Sequence, residues 1–449
     1  MKKFIIFSLL LLVLMLTAFF LYLKPNLQVV NGYAAKNLCS CVFVAGIAEE
    51  VVKEIDLGLS FINMASTRVD YQDKSATSHF WGLVPRKAVY REGLGCALIN
   101  ELDESTVRNQ SFAPSLSPKD SLQNWFELPD SIEVVSEAQA ALVQKIINSA
   151  FENDPDHRIN TRAVVVLYKG RLIGEQYADE VTKDTPLLGW SMTKSVTSTM
   201  AGLLIRDGYF ALNDPAPVAR WKDTEKEGIT YKNLLQMSSG LKFDEIYESY
   251  SDANQMLWIS DSAGMATVGN PLEASPGEKW YYSSGTTNLL MHLIRGYFPD
   301  QDTYLDYLNK ELFNKIGAYS FIIEPDASGG FVGSSFGWAT ARDWARLGQL
   351  YLNKGVWAEE EVLPAEWVEF VQQEPEDPEA QDTYGGQFWL GNNQPNSPDD
   401  AYYMKGFHGQ RVMIVPSKEL VVVRLGVTYR GGFDFDGFLN QIIDAVASN

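Results

Sequence analysis

Gly189-Trp190-Ser191-Met192-Thr193-Lys194-Ser195 opens a helical stretch. Ser191 is a good cap residue, and an apolar run with helical spacing follows at Val196, Met200, Leu203 and Leu204. The run stops at Gly208, ahead of Asn213, Asp214 and Pro215. Residues three apart on a helix share a face, so the Lys194 amine is expected beside the Ser191 hydroxyl. A serine is a weak nucleophile until a neighbour takes its proton, and a partly desolvated lysine one turn away can supply that base. A Ser-x-x-Lys pair by itself is more often an exposed helix face, so the flanking sequence has to decide.

On the N-terminal side, Ala138, Leu142, Val143, Ile146, Ile147 and Ala150 share one face of a helix beginning at Ser136. Thr161 to Tyr168 reads as a central strand, and Leu172 to Tyr177 returns as a hairpin across Gly170. On the C-terminal side, residues 210–330 read as mostly helical with long loops, and Trp338 to Leu352 is amphipathic. Arg411 to Val415 and Leu420 to Leu425 form a second hairpin, and Phe438 to Val446 a last helix. Helix, hairpin, helical insertion, hairpin, helix is an α+β order with no run of βαβ units. It predicts an antiparallel sheet flanked by helices, plus a mostly helical domain and an extra N-terminal module.

The chain has 449 residues, enough for one large catalytic unit with additions, and a formal net charge of -20. That charge argues against a nucleic-acid partner, because phosphate binding needs a basic surface. Lys2 and Lys3 precede an apolar run from Phe4 to Leu23. About 20 helical residues give about 30 Å, enough to cross a bilayer. Tyr33-Ala34-Ala35 is a poor cleavage site, so an uncleaved anchor with an exported, extracytoplasmic body is expected. Val42 to Val44 reads as a short strand in a connecting stretch, residues 64–99 as β-rich, and 103–135 as a linker or wrapped arm. The boundaries are 1–25 for the anchor, 26–135 for the β-rich module and linker, and 136–449 for the catalytic domain. Cys96 can bridge either Cys39 or Cys41, or all three remain buried thiols; C-x-C plus one distant cysteine is poor zinc spacing.

Two further stretches join the first: Pro276-Gly277-Glu278-Lys279-Trp280-Tyr281-Tyr282-Ser283-Ser284-Gly285, and Lys405-Gly406-Phe407-His408-Gly409-Gln410-Arg411 leading into a strand. Ser-x-x-Lys, then Tyr-Ser-x after Pro-Gly, then a Gly-containing triplet entering a strand resembles the serine β-lactamase and penicillin-binding-protein superfamily. Over roughly residues 140–445 the chain is most similar to its class C-like branch of esterases, D-amino-acid peptidases and 6-aminohexanoate-dimer hydrolases. The resemblance implies a serine hydrolase working through an acyl-enzyme on Ser191, with no metal or organic cofactor. The substrate class is a small ester, amide or short peptide. Tyr282 would act with Lys194, as a phenolate stabilised by Lys194⁺ or through a shared proton, and which of the two is the formal base stays open. The oxyanion donors implied are the backbone N–H groups of Ser191 and, on the strand after His408-Gly409-Gln410, of Arg411. His408, Gly409, Gln410, Arg411 and Ser284 would line the substrate site. Phe243-Asp244-Glu245-Ile246-Tyr247 resembles the cleft loop of the aminohexanoate-dimer hydrolases, with Tyr247 within reach of a substrate amide.

Two departures favour ester or amide substrates over β-lactams and cell-wall peptides. His408-Gly409-Gln410 replaces Lys-Thr-Gly, and a neutral imidazole grips a carboxylate less firmly than an ammonium does. Ser284 stands where Asn is common. A β-lactamase or DD-peptidase is the alternative enzyme, and a non-catalytic exported binding module on the same fold the alternative outside enzymes. His79, His157 and His292 have no comparable context. Gly333-Ser334-Ser335-Phe336-Gly337 spells the nucleophile elbow of α/β-hydrolases, with Asp382 and His408 as possible partners, but no good core strand precedes it.

Overall fold

Val164, Val165 and Val166 form the middle of a strand buried on both faces. The computed structural model describes residues 2–59, 61–115, 135–152, 159–376, 383–392, 396–429 and 432–447. In it the strand is β5 (Ile159–Tyr168). β6 (Arg171–Tyr177) pairs on one side of it and the C-terminal strand β10 (Leu420–Thr428) on the other. Beyond β10 come β9 (Gln410–Val415), β8 (Tyr402–Gly406) and the short β7 (Trp389–Leu390), all antiparallel. Both ends of the chain therefore build one sheet.

Alternation along these strands feeds two cores. Val164, Val166, Met413 and Val422 pack under helices α2 (Glu137–Ser149) and α6 (Phe435–Ala447), against Val143, Ile147, Phe438 and Ile442. Val165, Val412, Ile414 and Val423 face the opposite core, with Trp344 and Leu347 of α5 (Ala341–Leu352). The expected helix from Trp338 starts later, because Gly337–Ala339 pairs as a strand with Leu187–Leu188 and Ile322–Ile323. Ser136 caps α2 through a reciprocal capping box with Gln139.

The N-terminal region differs from expectation. Residues 26–45 are no loose connection, and Val42 to Val44 is no strand: α1 runs unbroken from Lys2 to Phe43. Its first half is exposed and its second half, from Asn31 to Cys41, is buried. The reason lies in the spacing of Ala34, Ala35 and Leu38, small and apolar positions on one helix face, which pack into the main core. The antiparallel sheet β1 (Ser66–Asp70), β2 (Ser75–Phe80), β3 (Leu83–Arg91) and β4 (Gly95–Leu98) wraps this half of α1. A Cys39–Cys96 disulfide ties helix to sheet, and Cys41 is a buried free thiol. A buried ion pair ties the helix to the body: Lys36 Nζ lies 2.5 Å from Glu324 Oε2. Glu324 also accepts from Ser40 Oγ, the Cys96 N–H and Trp338 Nε1. The stretch 103–135 includes a short helix, Glu104–Arg108, and its 116–134 portion lies outside the described residues.

Candidate active site

Ser191 does not cap its helix. It lies in a 3-10 turn, Trp190–Met192, and the helix proper, α3, spans Thr193–Arg206. The turn is forced by Trp190, whose φ of 49° lies in the left-handed region. The Trp190 ring is held by Phe407 and Tyr33, with centroids 5.5 and 6.0 Å away. Thr193 Oγ1 donates to the Trp190 carbonyl and receives the Gly337 N–H, so the turn is fixed from both sides. Ser191 is left half-buried.

Lys194 follows one turn on and is almost fully buried. Its Nζ lies 3.2 Å from Ser191 Oγ, 2.9 Å from Ser284 Oγ and 3.1 Å from the Ser334 carbonyl oxygen. Burial, partly offset by the Glu245 carboxylate, lowers its pKa to about 8. Nζ also lies 4.7 Å from the centroid of the Tyr282 ring. Of the states expected of it, Tyr282 is not held as the phenolate. Burial raises its pKa well above 10, Glu245 adds to the rise, and only an interaction with the Ser191 hydroxyl opposes it. The amine sits over the ring face and does not pull the phenol toward ionisation. Tyr384 and Trp389 pack against the ring, with centroids 5.8 and 5.4 Å away.

Ser284 is the first residue of α4 (Ser284–Arg295), and the preceding Ser283 caps that helix. Ser284 is wholly buried. Besides Lys194, it meets a residue that sequence reasoning passed over. Glu245 accepts the Ser284 N–H at 2.7 Å and its hydroxyl at 2.5 Å. The Tyr247 hydroxyl donates to Glu245 Oε1 at 2.6 Å and lies 3.2 Å from Ser284 Oγ. Burial and Glu245 keep that phenol neutral as well. The signal for Glu245 was present: in an extended loop, residues two apart point the same way, so a carboxylate two before Tyr247 shares its side.

The third stretch is arranged otherwise than expected. His408 takes φ 60° and stacks on Phe407, with centroids 3.8 Å apart. It lines a small cavity of about 30 Å³ with Tyr33, Asp56, Arg162 and Gln410, and no hydrogen bond joins it to Ser191, Lys194 or Tyr282. Burial lowers its pKa to about 4, so the imidazole is neutral at physiological pH. The Gln410 side chain is turned inward and bonds both backbone groups of Gly426. Arg411 lies in β9, paired with Lys405 on one side and Arg424 on the other, and its guanidinium covers the Phe435 ring. Gly409 lies against Arg424 and Phe435. The close approach to the Ser191 turn is made instead by Gly406, at the end of β8: a Cβ there would fall 2.1 Å from the Gly189 carbonyl oxygen.

The Gly-x-Ser-x-Gly stretch has a packing reason. A Cβ on Gly333 or Gly337 would press on Thr197 or Thr193 of α3, so both positions let this segment lie against that helix. That contact delivers the Ser334 carbonyl to Lys194. The Ser335 hydroxyl is buried and bonds only Ser334 among the described residues. Asp382 and His157 lie outside the described residues.

With this geometry in hand, likeness to known proteins is informative. The family described as Beta-lactamase matches residues 141–436. The chain is 26% identical over 299 residues to a 6-aminohexanoate-dimer hydrolase of Paenarthrobacter ureafaciens, covering 59% of this chain and 72% of that one. Among solved structures it resembles a family VIII carboxylesterase, with TM-score 0.54, 15% identity and coverage of 70% of this chain and 98% of that one. It also resembles a penicillin-binding-protein homologue from Caulobacter crescentus, with TM-score 0.53, 16% identity and coverage of 69% and 97%. At such identities these two structures speak for the fold alone.

Proposed function

The chain belongs to the beta-lactamase family, a family of serine hydrolases, and on that premise we propose that it cleaves an ester or amide bond through an acyl-enzyme on Ser191. One observation carries the reading: a buried amine with a pKa near 8 lies 3.2 Å from the Ser191 hydroxyl. At pH 7 about one in ten such amines is neutral, against fewer than one in a thousand for an ordinary lysine. Lys194 is therefore the base that accepts the serine proton. Serine oxygen attacks the carbonyl carbon, and the oxyanion is met by the Ser191 N–H and a backbone N–H at the end of β8, where Gly406 allows close approach. Tyr282, a neutral phenol, gives its proton to the leaving oxygen or nitrogen and recovers one from Lys194. Water then attacks the acyl carbonyl, Lys194 takes its proton, and the acid departs as Ser191 is restored.

The Glu245 carboxylate beside Ser284 and Tyr247 places negative charge next to the scissile group. It disfavours substrates with a carboxylate at that point, which β-lactams and cell-wall peptides carry, and suits neutral or cationic ones. The apolar start of α1 is read as a retained anchor that continues without a break into the body. Tyr33 packs against Trp190 and Trp258, while Ala34 and Ala35 are fully buried, so cleavage there would strip the body of residues that fill its core.

The test is labelling of the full chain with a fluorophosphonate probe, together with hydrolysis of p-nitrophenyl butyrate. Ser191→Ala is expected to lose the label and at least a thousandfold in kcat/KM, and Ser335→Ala to keep both. Label on Ser335, or none on the wild type, would overturn the assignment and favour the elbow or the non-catalytic reading.

A further inference from the structure

The loop that carries Glu245 and Tyr247 continues to Tyr250, whose backbone N–H bonds Asn26 Oδ1 at 3.1 Å. Asn26 lies three residues past Leu23, where the apolar run of α1 ends. Three helical residues are about 4.5 Å. From Tyr250 back to Tyr247 is at most about 11 Å of extended chain. With the Asn26 side chain and its 3.1 Å hydrogen bond between them, the site loop lies within roughly 20 Å of the hydrocarbon boundary, on a helix with no linker between span and body. A headgroup layer is about 5–7 Å thick on each side of the hydrocarbon core, so Asn26 falls within it and Tyr250 is one hydrogen bond from Asn26.

The N-terminal sheet points the same way. Asn31 Nδ2 bonds the carbonyls of Leu83 and Val84, and its Oδ1 receives the Ser78 hydroxyl. Further along α1, Cys39 is bridged to Cys96, which faces Tyr90. β3 therefore runs along the helix away from the span, and the β2–β3 turn is at the span end. That turn is Trp81-Gly82, closed by the Phe80–Leu83 pair, with φ 50° and 78°. Such a turn ordinarily takes Asn-Gly, and a tryptophan in the left-handed region is locally unfavourable. Yet Trp81 is 76% exposed and, among the described residues, its ring contact is with the neighbouring Phe80. Phe61 and Met64 are exposed just ahead of Ser66, which pairs with His79 beside the same turn. Leu83 in the same hairpin is exposed, as is Ile246 on the loop that Tyr250 ties to Asn26, and these side chains make an apolar rim beside the emerging span.

We infer that this rim is seated in the headgroup layer of the bilayer that α1 enters, and that the site takes its substrate from that bilayer: an amphiphile with an acyl ester or amide near the headgroups. Tryptophan and other amphipathic rings partition to that layer. With a net charge of -20 the body gains nothing from anionic lipid, so the contact is apolar and insensitive to salt. The substrate half of the inference rests on the serine-hydrolase reading above.

The full chain is reconstituted in phosphatidylcholine vesicles. Brominated phosphatidylcholine quenches more tryptophan emission in the wild type than in Trp81→Phe, and the difference persists at 1 M salt. No difference between the two proteins would overturn the seating of the rim, whatever the enzyme does. The second arm compares p-nitrophenyl acetate in water with p-nitrophenyl palmitate in the vesicles. Trp81→Asn with Leu83→Ser supplies the preferred turn residue, so the fold is not at risk. It is expected to keep the acetate rate within twofold and to lose tenfold or more on the palmitate. Equal rates on both esters would overturn the substrate half and leave the serine mechanism intact. A wild type that turns over neither ester and takes no probe at Ser191 would instead refute the mechanism, with the quenching arm still judging the rim.

Discussion

Replacing Lys194 with methionine is expected to make the protein more stable at neutral pH while abolishing its activity. A lysine with an ordinary pKa of 10.5 and a folded pKa of about 8 is charged in both states at pH 7, but the folded pocket resists the charge. That difference is worth about 3 kcal/mol. Between pH 8 and 10.5 the unfolded chain binds more protons at this position than the folded one, so wild-type stability rises with pH across that window. Above pH 10.5 the penalty is gone. Methionine fills a similar volume and carries no charge, but it leaves the Ser334 carbonyl without its donor, at about 1–2 kcal/mol. Ser284 keeps Glu245 as an acceptor and is little affected. The balance is a gain of about 1–2 kcal/mol at pH 7 that becomes a loss of similar size at pH 10.5. The swing is about 3 kcal/mol, or roughly 3–5 °C in Tm for a chain of this length. Thermal unfolding of both proteins in the same detergent at the two pH values measures it, and every other titrating group cancels in the difference. A variant less stable than the wild type at pH 7, or a difference that does not move with pH, would show that the amine is not held against its charge.

Two further outcomes follow from the same electrostatics. If Lys194 is the base, kcat/KM for a p-nitrophenyl ester should climb about tenfold per pH unit below 8 and level off above it, because only the neutral amine accepts a proton; a flat profile from pH 6 to 9 excludes that role. Glu324→Gln leaves the Lys36 ammonium buried without its counter-charge and is expected to cost about 3–5 kcal/mol of stability in urea unfolding. Adding Lys36→Met should recover most of that loss, and a single variant within 1 kcal/mol of wild type would show that the pair does not hold α1 to the body.

The parts of the site that were legible in the sequence are those whose chemistry is local. Ser191 and Lys194 are one helical turn apart, and Tyr282 follows a Pro-Gly turn and precedes a cap serine, so short spacings announce them. The Ser334 carbonyl that holds Lys194 is 140 residues downstream, and no spacing reports it. Its segment advertised a different chemistry because glycines needed for packing on α3 happen to flank a serine. The triplet after Phe407 was harder to place for a related reason. Sequence shows where a strand begins but not which of its neighbours is nearer the site, and here β8, one strand over, makes the approach. Residues 26–45 mix polar and small side chains and so read as connection. Asn31, Ala34, Ala35 and Leu38 nevertheless recur at i, i+3, i+4 and i+7, which marks a helix packed closely on its neighbours through small residues. The α+β order was readable throughout because its strands are long, buried and β-branched.

The same burial acts on Lys194 and Tyr282 in opposite directions on the pKa scale, and the consequence is common to both: each is pushed toward its neutral form. A pocket that pre-forms an ammonium–phenolate pair would invest its stabilisation in the resting state and gain little at the transition state. A neutral amine and a neutral phenol have no such resting pair to lose. In the molecules that react, those whose Lys194 is neutral, charge appears only when Ser191 has surrendered its proton and the carbonyl oxygen has become an anion. At that moment the new ammonium lies between three oxygen acceptors already within 3.2 Å, with Glu245 one hydrogen bond beyond Ser284. Glu245 is thus placed to favour the protonated amine when it forms, while Ser284, standing between them, keeps the carboxylate from forming a direct ion pair with Lys194 beforehand. An asparagine at 284 would turn a longer amide into that gap and change the separation on which this timing depends.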